Sequence, residues 1–181
     1  PVMILIFFLV WITIGFPIFR QKRPGSNSKV FTLYKFKTLY EISNNTSQKK
    51  KQNKIGNFLR KTGLDELPQL FNVLKNDMSL VGPRPLLVEY LNKYSSYEKK
   101  RHLIKPGITG LAQVNPNPSG VKLWKKSIKL DIHYVNNVSF FLDIQILLKT
   151  VGLILFKKKQ YKDFKKFDKQ KISNNWSWRS W

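Results

Sequence analysis

The first nineteen residues, PVMILIFFLVWITIGFPIF, carry no charge, and no other feature constrains the fold as strongly. As one helix the run would be about 28 Å long, close to the thickness of a bilayer's hydrocarbon core. A signal peptide has a shorter apolar centre and a small-residue cleavage site, which this run lacks. Thr13, Gly15 and Pro17 weaken its second half as helix, and Pro1 breaks any helix entering from residues before it. The pattern predicts a helical limb over residues 2–12, then extended chain. A limb that short does not span the core alone and suits one arm of a bent, re-entrant membrane helix. The alternative is a simple spanning helix. Arg20, Lys22 and Arg23 follow at once. The positive-inside rule then puts everything after residue 20 on the cytoplasmic side. The chain starts at Pro1 rather than Met, so the expectation is that an upstream segment is missing.

The rest of the chain is basic. Lys and Arg number 33 against 10 acidic residues, a net charge of +23 over 181 residues. That balance fits nucleic acid, anionic lipid or phosphorylated small molecules as partners. Cysteine is absent, which excludes disulfides, thiolate catalysis and cysteine metal sites. His102 and His133 are isolated and make neither a zinc site nor a nucleophilic triad; each reads as a surface or packing residue.

Two of the few acids, Asp65 and Glu66, are adjacent in TGLDELPQLFNVLK, near Arg60, Lys61 and Arg84. Leu67, Leu70, Phe71 and Leu74 fall on one helical face. Pro68 is tolerated only in a first turn, so the helix should begin near residues 64–67, with Thr62 or Asp65 as cap. The helix dipole would then favour the ionised form of both carboxylates. In MSLVGPRPLL, Pro83 and Pro85 bracket Arg84 and hold it on rigid backbone, as a phosphate-clamping guanidinium requires. The plain alternatives are first-turn acids that stabilise a helix and a Pro-rich turn with a solvated arginine.

Elsewhere, residues 29–40 alternate aromatic and β-branched residues with Lys, as a strand does. Residues 41–54 are polar without periodicity and read as a loop. Residues 88–103 and 123–136 read as helices, and KPGITG (105–110) as a turn. Residues 138–156 are apolar but carry Asp143, Gln145 and Lys149, which suits an interfacial helix better than a spanning one. The lysine- and Trp-rich tail, 157–181, suits an anionic membrane surface or a solvated, disordered end.

Adjacent carboxylates among cations can supply a nucleophile toward phosphorus and a donor for a divalent cation. The longer strings sharpen this. RKTGLDELPQLFNVLKNDMSLVGPRP, followed by RHLIKPGITGLAQVN, resembles the bacterial sugar transferase family, the monotopic phosphoglycosyl transferases. FRQKRPG, FTLYKFK, LDIHYVNN and FLDIQILLKT add to the resemblance, which runs in order from residue 1 to roughly 156. It implies transfer of a phosphosugar from a UDP-sugar to polyprenyl (undecaprenyl) phosphate at the cytoplasmic face of the bacterial inner membrane, with UMP released. Such transfer starts polysaccharide, for example exopolysaccharide, or glycoconjugate synthesis. It further implies Asp65 as nucleophile through a covalent phosphosugar intermediate, and Glu66 as its partner holding Mg²⁺. Lys35, Arg60 and Arg84 become ligands of the substrate phosphates. The family's membrane helix is re-entrant and broken at a Ser-Pro pair, with Pro1 aligned to that proline. Lys37 stands where the family usually has Arg, and PNPSG (116–120) replaces the usual Gly-Arg after AQVN.

The expected fold is α/β, mostly helical with little sheet, in a monotopic membrane protein with interfacial amphipathic helices. Residues 1–19 form the partial re-entrant helix and its exit, 20–156 the cytoplasmic transferase domain, and 157–181 the basic tail. Partners are UDP-sugar, polyprenyl phosphate and inner-membrane lipid, with no nucleic acid expected. The runner-up is a catalytically inactive family member or a basic, membrane-anchored binding protein.

Overall fold

The computed structural model describes residues 1–44, 47–52, 54–115 and 121–156. The expectations for PNPSG and for the tail fall outside the described residues.

Helix α1 (Val2–Ile14) runs two residues further than its predicted limb. It ends where Gly15 takes a φ of 94° and donates its N–H to the Trp11 carbonyl. Ile6 and Val10 turn inward onto Phe36 and Leu59, while Val2, Ile4, Leu5, Phe8, Leu9, Trp11 and Ile12 stay exposed. Among the described residues no helix is long and apolar enough to cross a membrane. The extended chain beyond Pro17 is β1 (Ile18–Pro24), paired antiparallel with β2 (Val30–Phe36) so that Phe19 faces Lys35 and Pro24 faces Val30.

The polar stretch 41–54, read as a loop, instead belongs mostly to an antiparallel hairpin of β3 (Leu39–Asn44) and β4 (Ser47–Gln52). Backbone pairing between neighbouring segments needs no apolar face, so the polar composition hid it. Helix α2 (Lys54–Thr62) follows, and the left-handed Gly63 (φ 73°) turns the chain into a 3₁₀ turn, Leu64–Glu66. Helix α3 (Gln69–Leu74) starts only after Pro68. The predicted helix start is thus too early. Neither proposed cap acts as one: no side chain caps the turn or α3, and the Thr62 hydroxyl bonds back to the Phe58 and Leu59 carbonyls. The apolar face of α3 points outward: Leu70, Phe71 and Leu74 are exposed, while Gln69 and Asn72 are buried.

Strand β5 (Ser79–Val81) pairs in parallel with β6 (Gly107–Thr109), so KPGITG contributes a strand as well as a turn. The two backbones nearly touch. A Cβ on Gly107 would overlap the Gly82 nitrogen, and one on Gly82 would overlap the Lys105 carbonyl. Between these strands the predicted helix 88–103 is broken into a 3₁₀ segment Val88–Lys93, α4 (Ser96–Lys99) and a 3₁₀ turn Lys100–His102. The break has a local cause. Ser95 accepts from the Glu98 N–H while the Glu98 carboxylate accepts from the Ser95 N–H, a capping box that starts a new helix inside the run.

Helix α5 (Leu111–Val114), α6 (Val121–Asn136) and α7 (Phe140–Phe156) complete the described chain. Ile146 of α7 packs against Val81, Val114 and Tyr134. Asp143 accepts from the Tyr134 hydroxyl at 2.6 Å, and Thr150 bonds to Thr109 at 2.7 Å, so two of the polar groups on this apolar helix fasten it to the domain. The architecture is mostly helical, with three two-stranded sheets among the described residues.

Candidate active site

The acid pair sits in the 3₁₀ turn between α2 and α3, where Leu64 and Leu67 anchor it to the α1–Phe36–Leu59 cluster. Strand β2 runs alongside and carries Lys35 to Glu66. Lys35 Nζ donates to Glu66 Oε1 at 2.6 Å, and an Arg84 guanidinium nitrogen donates to the same oxygen at 2.9 Å. The glutamate side chain is 14% exposed. Burial alone would raise its pKa, but the charges and hydrogen bonds of Arg84 and Lys35 outweigh burial and hold it down at about 2. Burial lowers the pKa of Lys35, as does the adjacent Arg84, with Glu66 opposing both.

Asp65 behaves differently from its neighbour. Burial, then the charge on Glu66, raises its pKa above the usual carboxylate value, and Lys35, Arg60 and Arg84 oppose the rise. The expectation that both carboxylates share a helix dipole is therefore corrected: the pair precedes α3, and burial governs Asp65. One carboxylate is locked in an ion triad, and the other is less stabilised as an anion. The second is the more basic.

The structure brings all five sequence-predicted residues to one place. Lys35, Glu66 and Arg84 are directly bonded. Arg60 reaches Asp65 through its charge, and its Nε donates to the buried Thr38 hydroxyl at 2.5 Å. His102 is buried against the Tyr94 ring and, through burial and the adjacent Arg101, has its pKa lowered to about 4, while His133 is exposed.

Other residues that build the site were not singled out. Asn72, fully buried on α3, accepts from the Tyr34 N–H at 3.1 Å and donates to the Thr32 carbonyl at 2.7 Å, completing the edge of β2 next to Lys35. Arg101 donates to the Arg84 carbonyl at 2.7 Å, to Asp131 at 2.5 Å and to the Tyr94 hydroxyl at 3.0 Å. The only sequence signal of Arg101 and Asp131 is membership of the strings RHLIKPG and LDIHYV, and that of Asn72 is membership of TGLDELPQLFNVLK.

Among the described residues no group of three or more His, Asp and Glu side chains gathers as a metal site. The carboxylates at this place are those of Asp65 and Glu66. That set fits a magnesium ion taking one or two carboxylates and completing its shell with phosphate and water.

A mostly helical domain that sets an acid pair among cations suits chemistry on a phosphorylated substrate. The chain matches the bacterial sugar transferase family over residues 1–157 and belongs to it. It is 48% identical over 152 residues to the uncharacterized sugar transferase EpsL of Bacillus subtilis, covering 81% of this chain and 74% of that protein. It is 38% identical to the UDP-glucose:undecaprenyl-phosphate glucose-1-phosphate transferase of Xanthomonas campestris, covering 79% of this chain and 32% of that one. A UDP-N-acetylgalactosamine-undecaprenyl-phosphate N-acetylgalactosaminephosphotransferase of Aeromonas hydrophila is 36% identical, covering 76% and 35%. The chain thus spans about three quarters of the first relative and about a third of the other two.

Proposed function

We propose that this chain transfers a phosphosugar from a UDP-sugar to a polyprenyl phosphate such as undecaprenyl phosphate. The observation that carries the reading is the split acid pair: Glu66 fixed by Lys35 and Arg84, with the more basic Asp65 beside it. The names of the Xanthomonas and Aeromonas relatives support the donor and acceptor classes.

In the first step an Asp65 carboxylate oxygen attacks the phosphorus bearing the sugar. The bond from that phosphorus to the bridging oxygen breaks, and UMP leaves with the electron pair. In the second step a phosphate oxygen of the polyprenyl carrier attacks the same phosphorus, and the carboxylate of Asp65 leaves intact. Attack of an anion on an anionic diphosphate requires its oxygens to be neutralised, and Lys35, Arg60 and Arg84 converge on that place. Asp65 and Glu66 would hold Mg²⁺, which when bound withdraws negative charge from the diphosphate. Glu66, kept ionised by its two cations, orients Lys35 and Arg84.

The acceptor is a lipid, and the exposed apolar surfaces support a membrane setting, while the basic residues Arg20, Lys22 and Arg23 after the apolar run support the cytoplasmic side of the inner membrane. On α7, Phe140, Ile144, Leu148, Val151 and Leu155 form one exposed stripe. The outer faces of α1 and α3 are also apolar. At 13 residues α1 is about 20 Å long, which suits one limb of a re-entrant helix.

The test is UMP release by the chain in nanodiscs with Mg²⁺, undecaprenyl phosphate and a panel of UDP-sugars, with Asp65→Asn alongside. UMP from the parent and none from the variant supports the reading and identifies the donor. No UMP from any donor, with protein folded and membrane-bound, favours the inactive or binding-protein alternative.

A further inference from the structure

The segment carrying Arg84 has little backbone to hold it. Pro83 and Pro85 have no N–H, so neither can donate to a sheet or helix. The Pro83 carbonyl accepts from the Gly107 N–H at 3.1 Å. The next carbonyl, that of Arg84, accepts from a side chain, the guanidinium of Arg101. Arg101 is 2% exposed and is fixed from two further directions. Asp131 on α6 accepts from the nitrogen that also bonds Arg84, and the Tyr94 hydroxyl accepts from the other terminal nitrogen. Asp131 is likewise buried, and Tyr94 packs with Ile128 and Ile132 of α6. A chain of bonds thus runs from α6 through Arg101 to the Arg84 backbone, and from the Arg84 side chain to Glu66.

A buried ion pair is weak evidence for stability, because desolvation offsets much of the attraction. Its geometric use here is clearer. A lysine could pair with Asp131 but could not also reach Tyr94 and the Arg84 carbonyl with a rigid fork.

We propose that Arg101, clamped by Asp131 and Tyr94, is a positioning residue that sets the Arg84 guanidinium on the acid pair through the Arg84 main-chain carbonyl. This rests on reading Arg84 as a ligand of the substrate phosphates. A misplacement of about 1 Å in such a group costs on the order of 10²-fold in rate.

The test is a double-mutant cycle on the full chain in nanodiscs: Arg101→Lys, Arg84→Ala and the double variant. Asp131→Asn serves as a gentler loosening of the clamp if Arg101→Lys fails to fold. Two readouts are taken on the folded fraction: kcat and KM for the UDP-sugar, and the Kd for UDP by calorimetry, which needs no turnover. Arg101→Lys should lower kcat/KM roughly 10- to 100-fold and weaken UDP binding roughly 10-fold. Both effects should vanish in the Arg84→Ala background, where Arg101 has nothing left to position. The proposal is overturned if Arg101→Lys lowers only the thermal midpoint, or if its effects persist undiminished without the Arg84 side chain. A parent chain with no turnover on any donor would defeat the transferase reading, and the UDP binding of the four proteins would still decide the positioning role.

Discussion

Replacing Glu66 by Gln isolates the charge at the centre of the ion triad. The ordinary carboxylate value of 4.5 falls to about 2 in the fold. A drop of about 2.5 units corresponds to about 3 kcal/mol favouring the ionised form at neutral pH. The side chain is 14% exposed, so solvent screening removes little of it. Gln has nearly the same shape, but it leaves the cations of Lys35 and Arg84 facing a neutral oxygen in a buried site. Breaking such an arrangement from one side costs a similar amount. The sign follows from the lowered folded value. The stabilisation is fully present above about pH 4.5 and is lost as pH falls through about 2. Thermal unfolding of Glu66→Gln and parent in nanodiscs at pH 7 should differ by roughly 6–12 °C. The gap should narrow steadily from pH 4.5 downward. Equal or greater stability of Glu66→Gln at pH 7 would refute the reasoning, because desolvation of the triad would then cancel its attraction.

Arg60 holds the raised pKa of Asp65 in check, so Arg60→Ala should move the acid limb of the kcat/KM profile to higher pH; an unmoved limb would separate Arg60 from Asp65. Gly107→Ala forces a methyl into the Gly82 backbone and should cost about 1–3 kcal/mol in denaturant unfolding, and an unchanged midpoint would mean the two strands are less tightly apposed. Leu148→Glu with Leu155→Glu removes two side chains from the exposed stripe of α7. At about 1.5–3 kcal/mol each, liposome flotation should fall at least roughly 100-fold, whereas unchanged flotation would take α7 away from the membrane surface.

The reach of the sequence can be argued residue by residue. Asp65 and Glu66 stood out because acids are sparse, and Arg84 because the prolines around it announce a rigid turn, whereas Lys35 and Arg60 entered as phosphate ligands through the family resemblance. Helices α1, α6 and α7 followed from long apolar or periodic runs. The β3–β4 hairpin was hidden because its pairing is backbone pairing under a polar composition. The break at Ser95 turned on one reciprocal cap inside an otherwise helical string. Apolar periodicity placed Leu70, Phe71 and Leu74 of α3 on one face but could not say that it points outward, since the inward side is made by the buried Gln69 and Asn72 together with Val73, which packs against Phe31, Leu33 and Met78. The opposite pKa directions of two adjacent carboxylates depend on which one Lys35 and Arg84 reach across the fold.

The most direct measurement is the intact mass of the chain after incubation with its UDP-sugar and Mg²⁺ in the absence of any polyprenyl acceptor. The account predicts a gain of one phosphosugar, mapped by peptide analysis to Asp65, and its loss when undecaprenyl phosphate is added. A chain that releases UMP only when the acceptor is present, and never carries the adduct, would contradict the claim that Asp65 is the nucleophile.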